Sequence, residues 1–231
     1  MTPEVLGAVM EATWPPLRAW GLGPFTLRDG AGGGKRVSAA SVSGAWDAAD
    51  LDAAEAAMAD PLFLIRAGDA ALDAALAGRG YRIVDPVLAY AAPVARLAAN
   101  LPAMVAFPHW PPLGIARLLW ADAGTGPARL AVMDRVRGPK TVILARLNDR
   151  PAGVCFVALA GAHAMLHALE VSPLQRRQGL ASQMLRAAAN WAQDQGAVTL
   201  SLVVTAQNSA ANCLYQCIGM DVVGRYQYRM R

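Results

Sequence analysis

Charged residues and cysteines are scarce in this chain of 231 residues. Only 16% of its positions are charged against 55% hydrophobic, which excludes extended disorder: a chain this apolar can bury enough surface to fold. Basic groups exceed acidic ones by only +4, and no lysine- or arginine-rich run exists beyond the Arg176-Arg177 pair. That excess is too small and too scattered for a nucleic-acid partner, although it suits a phosphate-bearing ligand. The three cysteines, Cys155, Cys213 and Cys217, form no C-x-x-C pair and cannot build a disulfide framework. Cys213 and Cys217 read as small core residues of a helix. No apolar run reaches the ~18 residues of a membrane span, and the opening Met1-Thr2-Pro3-Glu4-Val5 lacks the basic start and apolar core of a secretion signal. These absences predict a soluble, cytoplasmic protein with reduced thiols and no membrane partner. A metal set is also missing. His163 and His167 mimic a zinc spacing, but on a strand rising ~3.3 Å per residue their rings would stand about 13 Å apart.

What is present is a long series of short apolar segments, enough for one large domain or two small ones. Residues 1–20 predict a helix broken at Trp14-Pro15-Pro16, and 24–46 a hairpin with the glycines of 29–35 at its bend and 36–42 returning. The same glycines hint at a nucleotide loop, but the spacing is short and Arg36 stands where Ser or Thr is needed. A helix capped by Asp50 runs over 50–58, followed by a strand at 61–66, a helix at 69–77 and one or two strands over 81–92. Prolines then interrupt 101–112 repeatedly, which marks a linker between an N-terminal unit (1–100) and a C-terminal unit (113–231).

The C-terminal unit predicts helices within 115–120 and 127–136. Strands follow at 141–147 and 152–159, turned by Asn148-Asp149-Arg150-Pro151, and then a strand ending at Val171. A helix over 180–195, a strand over 198–205, a helix over 209–217 and a strand near 222–230 complete it. Between Val171 and the long helix lies Arg176-Arg177-Gln178-Gly179-Leu180-Ala181. A strand-to-helix turn there would gather backbone N–H groups at the positive end of a helix, with Gly179 allowing close approach, and so would hold a phosphate or pyrophosphate. A plain αβ turn with two exposed arginines would look the same. The second marked segment follows residues 198–205: Asn208 as an N-cap, Gly219 as a stop, and Asn208, Ala211 and Tyr215 on one helical face.

Arg176-x-x-Gly179-x-Ala181 followed by Asn208-x-x-Ala211-x-x-Leu214-Tyr215-x-x-x-Gly219-Met220 resembles the two motifs of the GCN5-related N-acetyltransferase (GNAT) superfamily. The resemblance covers roughly residues 113–231. It implies an α/β (α+β) fold with a mixed central sheet flanked by helices. The order strand 61–66, helix 69–77, Gly78-Arg79-Gly80-Tyr81 repeats the C-terminal pattern more faintly. This predicts a tandem form whose smaller N-terminal half is a degenerate GNAT-like unit without a phosphate loop.

The resemblance implies transfer of an acetyl group from acetyl-CoA to a primary amine, on a small molecule or a protein N-terminus, by direct attack in a ternary complex. The alternative it leaves is a non-catalytic acyl-CoA-binding regulatory module. No metal is implied. Backbone N–H groups of Arg177, Gln178, Gly179, Leu180, Ala181 and Ser182, with Arg176 or Arg177 adding charge, would bind the pyrophosphate. The main chain of Leu169 and Val171 would pair with the pantetheine arm, and Asn208 would touch that arm or cap its helix. Tyr215 would be the general acid, a phenol of pKa ~10 facing a thiol of ~8.5, unless it is a packing tyrosine. Glu170 could serve as general base through water or be a surface carboxylate; His167 is a weaker candidate, pointing away from Glu170 on an ideal strand. In the ribosomal-protein alanine acetyltransferases an acidic residue stands where this chain has Val203, so their substrate does not carry over. Tryptophans such as Trp46 and Trp110 would wall the acceptor cleft from the N-terminal side, and the apolar content leaves room for a homodimer.

Overall fold

The computed structural model describes residues 1–102 and 104–231; position 103, inside the expected linker, lies outside them. The first half contains α1 (Pro3–Thr13), β1 (Arg18–Leu22), β2 (Phe25–Asp29), β3 (Ser41–Val42), α2 (Ala48–Ala56), β4 (Leu62–Arg66), α3 (Ala70–Gly78), β5 (Arg82–Pro93) and the single turn α4 (Val94–Leu97). The second half contains β6 (Ala106–His109), α5 (Gly114–Asp122), α6 (Pro127–Arg135), β7 (Lys140–Leu147), β8 (Arg150–Ala160), β9 (His163–Val171), α7 (Leu180–Asp194), β10 (Thr199–Thr205), α8 (Ser209–Cys217) and β11 (Asp221–Met230).

Eight strands form one mixed sheet in the order β4-β11-β5-β10-β9-β8-β7-β6, in which only β9 and β10 run parallel. β1, β2 and β3 form a small antiparallel sheet that touches β4 through a parallel bridge at Ala40 and Phe63. The two halves pass through matching pairings. Each has an antiparallel meander, a parallel contact to the next strand, a helix, and a final strand. Those final strands are exchanged: β5 pairs with β10 of the second half, β11 with β4 of the first, and β5 and β11 pair with each other.

Both faces of the large sheet are covered. α7 presents Leu180, Met184, Leu185, Ala188 and Ala192 at helical spacing to one face, packing against Cys155, Val157, Leu166 and Leu200. Gly153 makes this approach possible, because a Cβ there would come within 2.7 Å of Met184 Sδ. The other face buries Trp14, Trp120, Val132 and Met133 against Val142, Val154 and Phe156. The expected mixed central sheet with flanking helices is thus present, and the second-half elements fall within a few residues of the expected bounds.

The differences concentrate in the first half. Residues 18–20, the end of the segment 1–20 expected to be a broken helix, lie in β1, because Pro15 and Pro16 end α1 and the hairpin turns at Gly23 rather than at the later glycines. Those glycines instead lead into a short 3-10 turn at Lys35–Val37, and only Ser41 and Val42 return as strand. α2 is capped by Asp47, with Asp50 completing a capping box. The expected linker contains β6, which pairs with β7, and the expected boundary near 100 leaves β5 on the first-half side although it lies between β10 and β11. Among the described residues no helix is long and apolar enough to cross a membrane.

Candidate functional site

The parallel strands β9 and β10 pair from His163 and Thr199 up to Leu166 and Leu202, then separate, while β9 continues to Val171 and β10 to Thr205. A bulge in β9 starts the separation. Its register with β8 jumps from Phe156↔His167 to Val154↔Glu170, so Ala168 and Leu169 oppose Cys155 alone, and Ala168 takes a φ of 48°. The bulge is clamped from below: the fully buried Trp120 donates its indole N–H to the Ala168 carbonyl at 2.8 Å. One further effect overturns an expectation. The extra residue shifts the phase of β9, so His167 and Glu170, cross-strand from Phe156 and Val154, share one face instead of pointing apart.

Beside the open strand ends stands the N-terminus of α7. Gly179 enters it in the left-handed region (φ 79°), and the first intrahelical bond runs from Gln183 N to Gly179 O at 3.2 Å. The amides of Leu180, Ala181 and Ser182 therefore have no acceptor within the helix, at its positive end. A Cβ on Gly179 would meet nothing within 4 Å, so the backbone angle, not space, selects glycine. Arg177 also has a positive φ of 63°. Arg177 and Gln178 are exposed, whereas the Arg176 side chain turns back to donate to the Val171 carbonyl at 3.1 Å. That bond engages the main-chain acceptor expected to be free at Val171, and leaves Arg177 as the arginine without a protein partner in this turn among the described residues.

Tyr215 is buried on α8, its ring 5.5 Å from that of Tyr90. Burial pushes its pKa up to about 12, with Cys155, Glu170 and Tyr90 adding to the rise. Glu170 is half-buried, and burial raises its pKa while Arg176 and Arg129 pull it down. The carboxyl and the phenol thus sit close enough to feel one another at the strand opening. Asn208 acts as the cap of α8, accepting from Ala211 N at 3.1 Å. Asn212, missed in the sequence, does more: its Nδ2 donates to the carbonyls of Thr205, Ala206 and Asn208, and its Oδ1 accepts from Tyr90 at 3.0 Å. Its position one turn after Asn208, facing the same strand end, was the available signal. Cys213 and Cys217 are exposed, with sulfurs 3.8 Å apart, and are not core residues.

On the sheet face opposite α7 a cavity of about 320 Å³ opens beside the bulge, lined by Trp14, Arg36, Arg129, His167, Ala168 and Val203 among others. His167 is buried and fixed on three sides. It stacks on Trp14 at 4.9 Å, and its two ring nitrogens meet Arg36 and Thr13 at 3.0 Å each. Burial and the Arg36 charge hold its pKa well below 6.5. Neither Trp46 nor Trp110, the tryptophans expected at the acceptor cleft, lines this cavity: Trp46 packs edge-on against Phe25, and Trp110 against Phe156 with Lys140 over its ring. His163 bonds Thr199 Oγ1 at 2.7 Å, apart from His167. Among the described residues no three metal-binding side chains cluster.

Residues 110–220 match the family model described as the acetyltransferase (GNAT) family. No curated protein sequence matches the chain. Among solved structures, a GCN5-related N-acetyltransferase from Kribbella flavida superposes with a TM-score of 0.73 at 17% identity, covering 100% of this chain and 96% of that one. A conserved protein of unknown function from Staphylococcus epidermidis ATCC 12228 reaches 0.70 at 11% identity, with 94% of each chain covered. A tandem GNAT protein from the clavulanic acid biosynthesis pathway reaches 0.62 at 16%, covering 90% and 77%. The two-motif pattern, the strand opening and these likenesses agree: the chain has the GNAT fold, and its segment 110–220 is similar to the acetyltransferase (GNAT) family.

Proposed function

We propose that the protein is an N-acetyltransferase that moves an acetyl group from acetyl-CoA to a primary amine by direct attack in a ternary complex. The observation that carries this reading is the end of β9–β10 pairing at Leu166 and Leu202 directly beside the uncapped amides of α7. The two fit one elongated ligand: a diphosphate on the N–H groups of Gly179 to Ser182, with Arg177 adding charge, and an extended arm entering the gap where Leu169 leaves its neighbour strand. Asn208 serves as a cap, which stiffens the helix that presents Tyr215.

In the reaction, the neutral amine attacks the thioester carbonyl, and the carbonyl electrons move to oxygen. Main-chain N–H groups at the bulge, fixed by the Trp120–Ala168 bond, supply the stabilising dipoles. Collapse reforms the carbonyl and breaks the carbon–sulfur bond, and the pair leaves on sulfur. Tyr215, neutral at any working pH, donates its hydrogen bond to that sulfur. With a pKa of about 12 it is a weaker acid than a free phenol, so it stabilises the thiolate more than it protonates it outright. Glu170, through water, takes the proton that the ammonium must lose; its raised pKa favours that role over a fully solvated carboxylate. No metal enters the scheme.

The first half is read as a degenerate GNAT-like unit in a tandem form. The matching order of its pairings supports this, and the N-terminus of α2 explains the degeneracy. α2 stands between β3 and β4 as α7 stands between β9 and β10, but there the Asp47 side chain accepts from Asp50 N and the Asp50 side chain from Asp47 N. Two carboxylates occupy the place where a diphosphate would need free donors and positive potential.

The rival reading is a regulatory module that binds acyl-CoA without turnover; the proximity of Tyr215 and Glu170 at the strand opening favours the enzyme. Calorimetric titration with acetyl-CoA, followed by an amine-dependent assay for free CoA, tests both. Binding with CoA release supports the enzyme, binding without release under every amine class supports the module, and no binding removes both.

A further inference from the structure

The cavity on the far side of the bulge has an unbalanced charge. Lys35 is neutralised by Asp85 at 2.9 Å, but Arg36 and Arg129 have no carboxylate within ion-pair distance among the described residues, although both line the cavity. Arg36 is oriented with some care. A guanidinium can only donate, so the His167 Nδ1 that meets it must accept; the ring is then neutral with its proton on Nε2, which donates to Thr13 Oγ1, and Thr13 donates on to the Val9 carbonyl at 2.6 Å. One N–H of the Arg36 fork is used up in holding the side chain over Trp14, and the rest of the fork is left for a ligand. Arg129 lies against Gly34 across the opening, about 3.6 Å from where a Cβ on that glycine would be. Trp14, Val203 and Tyr226 supply apolar walls to the same cavity.

We propose that the acceptor is an amine that also carries a carboxylate, an amino acid or a close analogue, with its carboxylate gripped by Arg36 and Arg129 and its amine directed to the bulge at Ala168. This rests on the acetyltransferase reading and names its substrate class. Two forked guanidiniums match a planar anion bidentately. A monoanion suits the site better than a phosphate, because the Glu170 carboxylate already lies near Arg129. His167 is a positioning residue in this scheme: it holds Arg36 and does not touch the reacting atoms.

The test compares each of the common amino acids with its own carboxamide as acceptor, alongside calorimetry with acetyl-CoA. At least one amino acid should be acetylated with a kcat/KM ten times or more above that of its amide. Arg36→Gln should bring that ratio close to one, and Arg129→Gln, at an exposed side chain less able to disturb folding, should lower it severalfold. Acetyl-CoA binding with amides as good as amino acids, or with no amino acid acetylated, overturns the carboxylate proposal and leaves the acetyltransferase reading standing. Absence of acetyl-CoA binding overturns both.

Discussion

Trp120 reaches up from its helix to hold the Ala168 carbonyl, so a helix of the second half fixes a strained residue at the mouth of the strand opening. Trp120→Phe keeps most of the packing and removes the donor. A part-buried carbonyl left without its partner costs at most about 1–3 kcal/mol. The bulge should relax, and kcat should fall more than acetyl-CoA affinity does. Chemical denaturation and steady-state kinetics check this; an unchanged kcat in a folded variant would show that the clamp has no part in catalysis.

Tyr215→Phe is expected to lower kcat by about 100-fold with acetyl-CoA binding retained, the size of losing one hydrogen-bond donor to charge that develops in the transition state. Because its pKa lies at about 12, the phenol keeps its proton over the whole accessible range. The pH profile of kcat should therefore show no alkaline decline owed to this residue below pH 11. A decline near pH 9–10 that vanishes in the Phe variant contradicts the burial described for Tyr215.

Position 179 separates backbone strain from steric blockage. Valine there meets open space but must adopt a left-handed conformation, at a cost of about 1–2 kcal/mol, whereas asparagine tolerates that region. Gly179→Val should melt lower than Gly179→Asn, and both should bind acetyl-CoA more weakly than wild type. Equal melting temperatures for the two variants would remove the backbone argument.

His167 makes stability depend on pH with a definite sign. Its pKa in the fold lies well below 6.5, so above that pH neither state carries the proton and the contribution is complete. As pH falls below 6.5 the unfolded chain gains a proton that the fold refuses, and stability declines by up to about 1.4 kcal/mol per pH unit. His109, also lowered by burial, adds to the slope; Glu170, raised by burial, works in the opposite direction near pH 4.5. Urea unfolding between pH 7.5 and 5.0 should show a shallower slope for His167→Gln, and identical slopes would refute the neutral, buried ring.

Much of the second half was legible because its signals are local. The spacing of Leu180, Met184 and Leu185, the stop at Gly196 and the cap at Asn208 each act within a turn or two of chain. The bulge left no trace, since an alanine at 168 carries no mark of a positive φ. The charge of the cavity beside the bulge was equally hidden: Arg36, His167 and Thr13 are far apart in sequence and meet only through tertiary packing. The partner of β5 was illegible for the same reason. Apolar alternation identifies a strand without saying which neighbour it takes, and here that neighbour lies across the midpoint of the chain.

The placement of β5 bears on how the protein comes into being. Its two partners, β10 and β11, are synthesised more than a hundred residues after it, so this segment must wait, bare along both edges, until they emerge. Cutting the chain near residue 100 would then yield no minimal catalyst, only two fragments with sticky flanks. Insertions that delay or misalign β10 and β11 should surface first as aggregation during expression, long before any chemistry is measured.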